Sequence, residues 1–160
     1  MAAASRELAP IWSPRLLRTT FACSFVFALS TLVYGWLATS PETTALALRL
    51  AGKSAAEASA ALPELLTNLR AVIAIGVLGN VLGMFALRGT TWSYWAALLV
   101  NLTQAGALSG LVPGQVHQAA LQRYGLPGLL PIVVTGGGAV LLTCALIARL
   151  VSVRDVRAGA

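Results

Sequence analysis

Two apolar runs joined by a very short turn constrain this chain more than any other feature. Residues 71–87 form the first run and residues 92–112 the second, and only residues 88–91 separate them. Each run is close to the roughly 20 residues that an α-helix needs to cross the hydrocarbon core of a bilayer. With so short a connection, both runs can be buried together only as an antiparallel helical hairpin across a membrane. The sequence therefore predicts an integral membrane protein.

The composition agrees with a membrane protein of several spans. Of the 160 residues, 58% are hydrophobic and only 10% are charged, whereas a soluble domain carries about 25% charged residues. The hydrophobic residues fall into four blocks, and the longest segment between blocks has only about thirty residues, too few to fold independently. We therefore expect an all-α polytopic membrane protein in which four transmembrane helices form an antiparallel bundle. The first loop is expected to carry one or two short amphipathic helices.

These blocks divide the chain into tails, spans and connections. The predicted segments are a cytoplasmic tail at 1–15, a first span at 16–38, an extracytoplasmic amphipathic loop at 39–69, a second span at 70–87, a cytoplasmic turn at 88–91, a third span at 92–112, an extracytoplasmic loop at 113–127, a fourth span at 128–150 and a cytoplasmic tail at 151–160. An even number of spans places both termini on the same side of the membrane.

The basic residues set the orientation, because cytoplasmic segments carry an excess of Arg and Lys. Of the eleven basic residues, the side that holds both termini collects Arg6, Arg15, Arg18, Arg88, Arg149, Arg154 and Arg157, and the other side collects Arg49, Lys53, Arg70 and Arg123. We therefore expect cytoplasmic termini. The abundance of alanine, and of arginine over lysine, suggests a GC-rich bacterial genome, so the expected location is the bacterial inner membrane.

The first loop contains two signals for helix starts. The sequence Ser-Pro-Glu at 40–42 places an N-cap before a proline and an acid in the first turn. The sequence Ser-Ala-Ala-Glu at 54–57 is a capping-box pattern. Pro63 and Glu64 are then expected to restart the helix that leads into the second span. We favour amphipathic helices lying on the membrane surface; a docking surface for a partner, or a lid over the bundle, is the alternative.

Glycines mark two of the predicted spans. Gly79 and Gly83 form a G-x-x-x-G pattern, and Gly76 lies on much the same face, which suits close approach of another helix. In the fourth span, residues Gly136, Gly137 and Gly138 are consecutive. Because unsatisfied backbone groups are very costly in lipid, we expect the helix to persist there with a neighbour pressed against it. A local unwinding that exposes carbonyls to a substrate is the alternative.

Three amides lie within the hairpin. Asn80 is seven residues from the end of the second span, and Asn101 is nine from the start of the third, with Gln104 on the same face as Asn101. At 1.5 Å per residue the depths of the two asparagines differ by only about 3 Å. We therefore predict that the two amides can bond to each other across the hairpin, as interhelical hydrogen bonds do in many membrane proteins. A polar lining that contacts a substrate or water is the alternative.

The sequence contains no recognisable catalytic or metal-binding pattern. No Asp or Glu falls within the core of any predicted span, which argues against proton-coupled or ion-driven transport. Cys23 and Cys144 lack partners at metal-ligand spacing, and His117 has no carboxylate nearby, so it is interpreted as a solvated interfacial residue. The net charge of +6 is due to arginines that flank the predicted spans. We interpret these arginines as contacts to lipid headgroups and not as a nucleic-acid binding site. We expect no catalytic residue, cofactor or metal.

Residues 86–95, Ala-Leu-Arg-Gly-Thr-Thr-Trp-Ser-Tyr-Trp, carry one resemblance. The segment resembles a turn that recurs in uncharacterised small four-span bacterial integral membrane proteins. In those proteins an arginine-glycine turn, here Arg88 and Gly89, is followed by an interfacial tryptophan, here Trp92. The resemblance implies a type of membrane protein and no activity.

Two functions remain open from the sequence. The favoured one is a non-enzymatic multi-pass membrane protein that acts through helix association, as a homo-oligomer or as a subunit of a membrane complex. The alternative is a small carrier or pore for a neutral or lipid-like substrate, which would use Asn80, Asn101, Gln104 and the glycines at 136–138.

Overall fold

The computed structural model describes residues 11–107 and 112–158, and this part of the chain is helical without any β-strand. The helices of the described residues are α1 (Pro14–Ala38), α2 (Pro41–Leu50), α3 (Ala55–Met84), α4 (Thr91–Ala107), α5 (Gly114–Tyr124) and α6 (Leu130–Ala158). Single 3₁₀ turns follow α3 at Phe85–Arg88 and α5 at Leu126–Gly128. Arg6 and residues 108–111, near the end of the predicted third span, lie outside the described residues.

Local capping explains where the first three helices begin. The Ser13 hydroxyl accepts a hydrogen bond from the Leu16 amide at 3.2 Å, and Ser40 accepts from the Thr43 amide at 3.2 Å. At Ser54 the capping box is complete: the Ser54 amide donates to Glu57 Oε2 at 2.8 Å, and the Glu57 amide donates to Ser54 Oγ at 3.3 Å. The helix starts predicted at residues 40 and 54 are therefore confirmed.

Helix α3 is longer than the sequence suggests. It runs from Ala55 to Met84 without a break, so the restart predicted at Pro63 does not occur. Alanine-rich sequence on both sides of Pro63 has a high helix propensity, and this stretch is largely exposed, so little packing opposes a proline within it. Thirty residues make a helix of about 45 Å, longer than the ~30 Å hydrocarbon core of a bilayer.

Three helical segments of the described chain are long and apolar enough to cross a membrane. They are Pro14–Ala38, Ala55–Arg88 and Leu130–Val156. Helix α4 contributes 17 described residues, which corresponds to a length of about 25 Å.

The four long helices form a closed ring of contacts. Helix α1 packs against α3 and α6, and α4 packs against the same two helices. The shorter helices α2 and α5 pack together and against the ends of α3 and α1. At the other end of the ring, Trp12 Nε1 donates to the Thr90 carbonyl at 2.9 Å, the Tyr94 hydroxyl donates to the Leu146 carbonyl, and Arg149 Nε donates to the Ile11 carbonyl at 3.1 Å. These bonds hold the starts of α1 and α4 against the end of α6.

The surface of the ring is apolar and its interior holds polar side chains. Large apolar residues point outward, with Ile75 70% exposed and Leu141 73% exposed. Asn80 and Asn101, in contrast, are only 1% and 0% exposed. These buried amides lie among apolar side chains, since Phe27, Tyr94, Leu142 and Leu146 belong to one buried cluster. The many large apolar residues on the outer surface are what distinguish this chain from a water-soluble protein.

Two glycines mark the closest approaches between helices. A Cβ at Gly83 would collide with the Ser24 hydroxyl on α1, and a Cβ at Gly138 would collide with the ring of Phe27. Helix α6 passes through all three of its glycines without unwinding. The expectation that this helix persists with a neighbour pressed against it is therefore confirmed.

The neighbouring glycines of α6 provide a matched test of this packing. We expect Gly138→Ala to lower the free energy of unfolding by about 1–3 kcal/mol, because the Phe27 ring is buried between helices and cannot swing aside. Gly137 has no atom within 4 Å of a built Cβ. Gly137→Ala should therefore leave stability unchanged or raise it by up to about 1 kcal/mol. Denaturation of both variants in detergent measures the difference, and equal losses would contradict the packing described.

Candidate binding cavity

A cavity of about 390 Å³ lies between the four long helices, in the half of the ring that faces α2 and α5. Its lining includes four residues that the sequence singles out, namely Gly76, Gly79, Gln104 and Gly136. Ile75 and Leu99 also line it and are 70% and 65% exposed at the outer surface. The cavity therefore opens sideways, between α3 and α4.

Glycines allow the helices around this cavity to approach one another closely. A Cβ at Gly76 would lie 3.3 Å from Thr31 Cγ2, and a Cβ at Gly79 would lie 3.2 Å from Val100 Cγ1, so larger residues would have to push these neighbours away. Gly136 is buried on the opposite wall, on α6. The glycines thus bring the helices close enough to enclose the cavity without filling it.

The lining is uncharged, and one of its polar atoms has no partner. The hydroxyls of Thr103 and Thr135 donate to carbonyls of their own helices, each at 2.9 Å. Gln104 Oε1 is buried and has no hydrogen-bond partner within the described residues. Because burying an unpaired polar atom is unfavourable, this oxygen marks a place where a hydrogen-bond donor would be stabilised.

Asn80 and Asn101 do not bond to each other, so the predicted bond across the hairpin is wrong. Asn80 Nδ2 donates to the Gly76 carbonyl at 3.0 Å, and Asn101 Nδ2 donates to the Ala97 carbonyl at 2.8 Å. Both Oδ1 atoms lack a partner within the described residues. Gly79 packs on Val100, and these two residues directly precede Asn80 and Asn101, respectively. At 3.6 residues per turn, each asparagine is rotated by about 100° from that contact.

The other glycines lie outside the cavity lining. Gly83 and Gly138 belong to the contacts of α1 with α3 and α6, and Gly137 is exposed on the outer face of α6. A second groove, of about 480 Å³, lies on the outer surface between α1 and α3, with Arg70 at its rim. It has no buried unpaired polar atom among its lining residues. The cavity at Gln104 is therefore the better candidate site.

Sequence reasoning missed the residues that close one end of the cavity. The Tyr34 hydroxyl, in the lining, lies 2.6 Å from His117 Nδ1 on α5. His117 is half-buried, so its interpretation as a solvated residue is wrong. The sequence does contain a signal for the partial burial of His117. Its neighbours Val116, Ala119 and Ala120 form an apolar face on a short helix.

Two contacts attach α5 to α2 beside this pair. Arg123 lies 3.6 Å from the Glu42 carboxylate, and the Thr43 hydroxyl donates to the Tyr124 hydroxyl at 3.4 Å. Val116 and Ala119 pack in one apolar cluster with Tyr34. Helices α2 and α5 therefore form a packed layer over the end of the ring at which the cavity lies.

Comparisons with known proteins do not assign a class to this chain. No model of a protein family matches it, and no curated protein or solved structure does. The resemblance of residues 86–95 to small four-span bacterial membrane proteins stays a prediction.

The half-buried His117 is expected to make the stability of the protein depend on pH. Burial lowers the pKa of His117 below its ordinary value of 6.5. The unfolded chain therefore takes up a proton at a higher pH than the folded chain, and stability is lost as the pH falls below about 6.5. We expect the melting temperature of the protein in detergent to fall on acidification from about pH 7.5 to about 5.5. His117→Gln should flatten this dependence, and an unchanged pH profile would contradict the assignment.

Proposed function

We propose that this chain is a multi-pass protein of the bacterial inner membrane whose helices α1, α3, α4 and α6 cross the bilayer as an antiparallel four-helix bundle. Three helical segments with the length and hydropathy of spans support this proposal. Helix α4 supports it too, because it follows α3 after one tight turn at Gly89, with φ +66°, and contacts both α3 and α6.

We further propose that both termini lie in the cytoplasm. The ring end that joins the starts of α1 and α4 to the end of α6 is also the end richer in arginine. Within the described residues this end carries Arg15, Arg18, Arg88, Arg149 and Arg154. An excess of basic residues on the cytoplasmic side is the general rule for membrane proteins.

For the activity, we propose a non-enzymatic carrier that holds a neutral, lipid-like molecule in the cavity. The observation that carries this proposal is an uncharged cavity of about 390 Å³ with one buried, unpaired acceptor, Gln104 Oε1. This volume falls within the range of about 300–1,000 Å³ found for small-molecule sites. An apolar wall with a single acceptor fits an apolar chain that carries one hydroxyl or N–H group. A carboxylate or phosphate would be buried there without a cation.

The packing of the glycines also favours this role over helix association. Gly83 and Gly138 pack against side chains of the same chain, and Gly76 and Gly79 line the cavity. The faces that would mediate association between chains are therefore largely used within one chain.

Binding of a long-chain alcohol tests the carrier proposal. We expect native mass spectrometry of the protein released from micelles to show retention of dodecanol and not of dodecanoate. Gln104→Leu should weaken dodecanol binding about fivefold, the loss expected for one net hydrogen bond of about 1 kcal/mol.

Gln118→Leu is the matched control, because Gln118 is exposed on α5, outside the cavity lining. It should bind dodecanol as the unchanged protein does. Equal retention of dodecanoate, or an unchanged affinity in Gln104→Leu, would contradict the proposal.

A second candidate is association through the outer face of α6. Gly137, Cys144 and Ala148 are exposed and lie on one helical face, and Gly137 has no neighbour within 4 Å of a built Cβ. Small residues on an exposed face are suited to contact with a second helix in a bilayer.

Oxidative cross-linking in native membranes tests this second candidate. Cys144 is free and exposed, so a dimer joined at this face should form a disulfide when copper phenanthroline is added. Gly137→Leu should reduce the cross-linked fraction severalfold, while Cys144→Ala provides the baseline. Absence of a dimer band in the unchanged protein would exclude association through this face.

A further inference from the structure

The interior of the helix ring contains six buried side-chain oxygens that have no hydrogen-bond partner within the described residues. They belong to Thr20, Ser24, Asn80, Asn101, Gln104 and Thr143. All four long helices contribute to this set, and Thr20, Ser24, Asn80 and Asn101 are at most 1% exposed. Buried polar groups in folded proteins are almost always hydrogen-bonded, so a set of this size requires an explanation.

Other threonine hydroxyls of the long helices are hydrogen-bonded to the backbone of their own helix, unlike these unpaired oxygens. Thr67, Thr103 and Thr135 each donate to the carbonyl four residues earlier, at 2.9 Å. This bond satisfies a hydroxyl within its own helix. The inward-facing hydroxyls of Thr20 and Thr143 do not make it. They are therefore available to a partner in the interior.

The orientation of the two asparagine amides is fixed by their own helices. Each Nδ2 group donates to a backbone carbonyl, that of Gly76 for Asn80 and that of Ala97 for Asn101. Rotating either amide by 180° would place two oxygens against each other. Both Oδ1 atoms are therefore held away from their helix, with their acceptor capacity unused.

Helical spacing places these oxygens toward the centre of the ring. Gly76, Asn80 and Gly83 share one face of α3, and Gly83 meets Ser24 on α1. On α4, Asn101 shares a face with Tyr94, whose hydroxyl bonds to α6. The unpaired oxygens thus lie where the helices face one another.

The oxygens are spread along the ring axis. Depths are measured at 1.5 Å per residue from Pro14 on α1, Arg88 at the end of the 3₁₀ turn after α3, Thr91 on α4 and Arg149 on α6. On this scale Thr20 and Thr143 lie at a depth of about 9 Å. Ser24, Asn80 and Asn101 lie at about 12–16 Å. Gln104, at about 20 Å, reaches the cavity. A single cation holds its ligands at about 2.3–2.6 Å and cannot contact oxygens spread over this length, and no Asp or Glu is among the buried residues that the structure describes.

We propose that the axis of the ring binds a file of ordered water molecules that are hydrogen-bonded to these six oxygens. The file extends from Thr20 and Thr143 to Gln104 at the cavity, and the buried Trp12, Tyr94 and Leu146 separate it from the arginine-rich end of the ring. Each water molecule can donate two hydrogen bonds to acceptors that the protein leaves unpaired, and buried waters typically make about three hydrogen bonds in all, donated and accepted. The proposal does not depend on the molecule that the cavity carries.

Two leucine substitutions distinguish a hydrated axis from a dry one. If the axis is dry, Asn80→Leu and Asn101→Leu remove an unsatisfied acceptor, and the melting temperature should rise. If water satisfies these oxygens, each substitution loses those bonds, and the melting temperature should fall by about 2–4 °C. Thr103→Val is the matched control on α4, since its exposed hydroxyl is already bonded to its own helix. A rise in the melting temperature of both asparagine variants would overturn the proposal.

Radiolytic footprinting of the unaltered protein gives a second readout that needs no variant to fold. Hydroxyl radicals formed from bound water oxidise the side chains beside it. Phe27 is 3% exposed and lies one turn from Ser24, so we expect it to be oxidised despite its burial. Asn101→Leu should reduce this oxidation. If Phe27 stays unmodified while the half-buried His117 is oxidised, no water lies beside Phe27, and the water file is excluded.

Discussion

A hydrocarbon solvent is the constraint on which the proposed account depends. The long helices present side chains such as Ile75 and Leu141 outward, while Asn80 and Asn101 face inward. In lipid this arrangement is favourable, because apolar side chains lose nothing by exposure and backbone groups are satisfied within each helix. Polar side chains must then find partners inside the ring. The cavity, the unpaired oxygens and the proposed water file all follow from this requirement.

Glycine performs two different tasks in this fold. At Gly83 and Gly138, a side chain of α1 fills the space that the missing Cβ leaves, and the helices make close contact. Gly76 and Gly79 also allow close approach, to Thr31 and Val100, and in addition they line the cavity. Because hydrophobic burial gives little driving force for helix contact in lipid, close packing of this kind is a main source of stability. Glycines at different positions therefore stabilise the ring and line its candidate site.

Local features of the structure were predictable from the sequence, and features that depend on helix rotation were not. The helix starts at Ser40 and Ser54 follow from contacts within four residues, so the sequence signals them directly. The similar depths of Asn80 and Asn101 were also predictable from the sequence. The direction in which each side chain points around its helix was not, and each amide bonds to a carbonyl of its own helix. The contact of Tyr34 with His117 joins residues 83 positions apart, and no local pattern specifies it.

Sided labelling of single cysteines tests the central claim most directly. The two native cysteines are replaced by alanine, and one cysteine at a time is introduced at Lys53, Thr90, Gln118 and Arg154, all exposed at the ends of helices. A membrane-impermeant maleimide added to intact bacterial spheroplasts should label positions 53 and 118 at once, and positions 90 and 154 only after the membrane is permeabilised. Labelling of all four positions from one side would contradict the four-span arrangement and the account built on it.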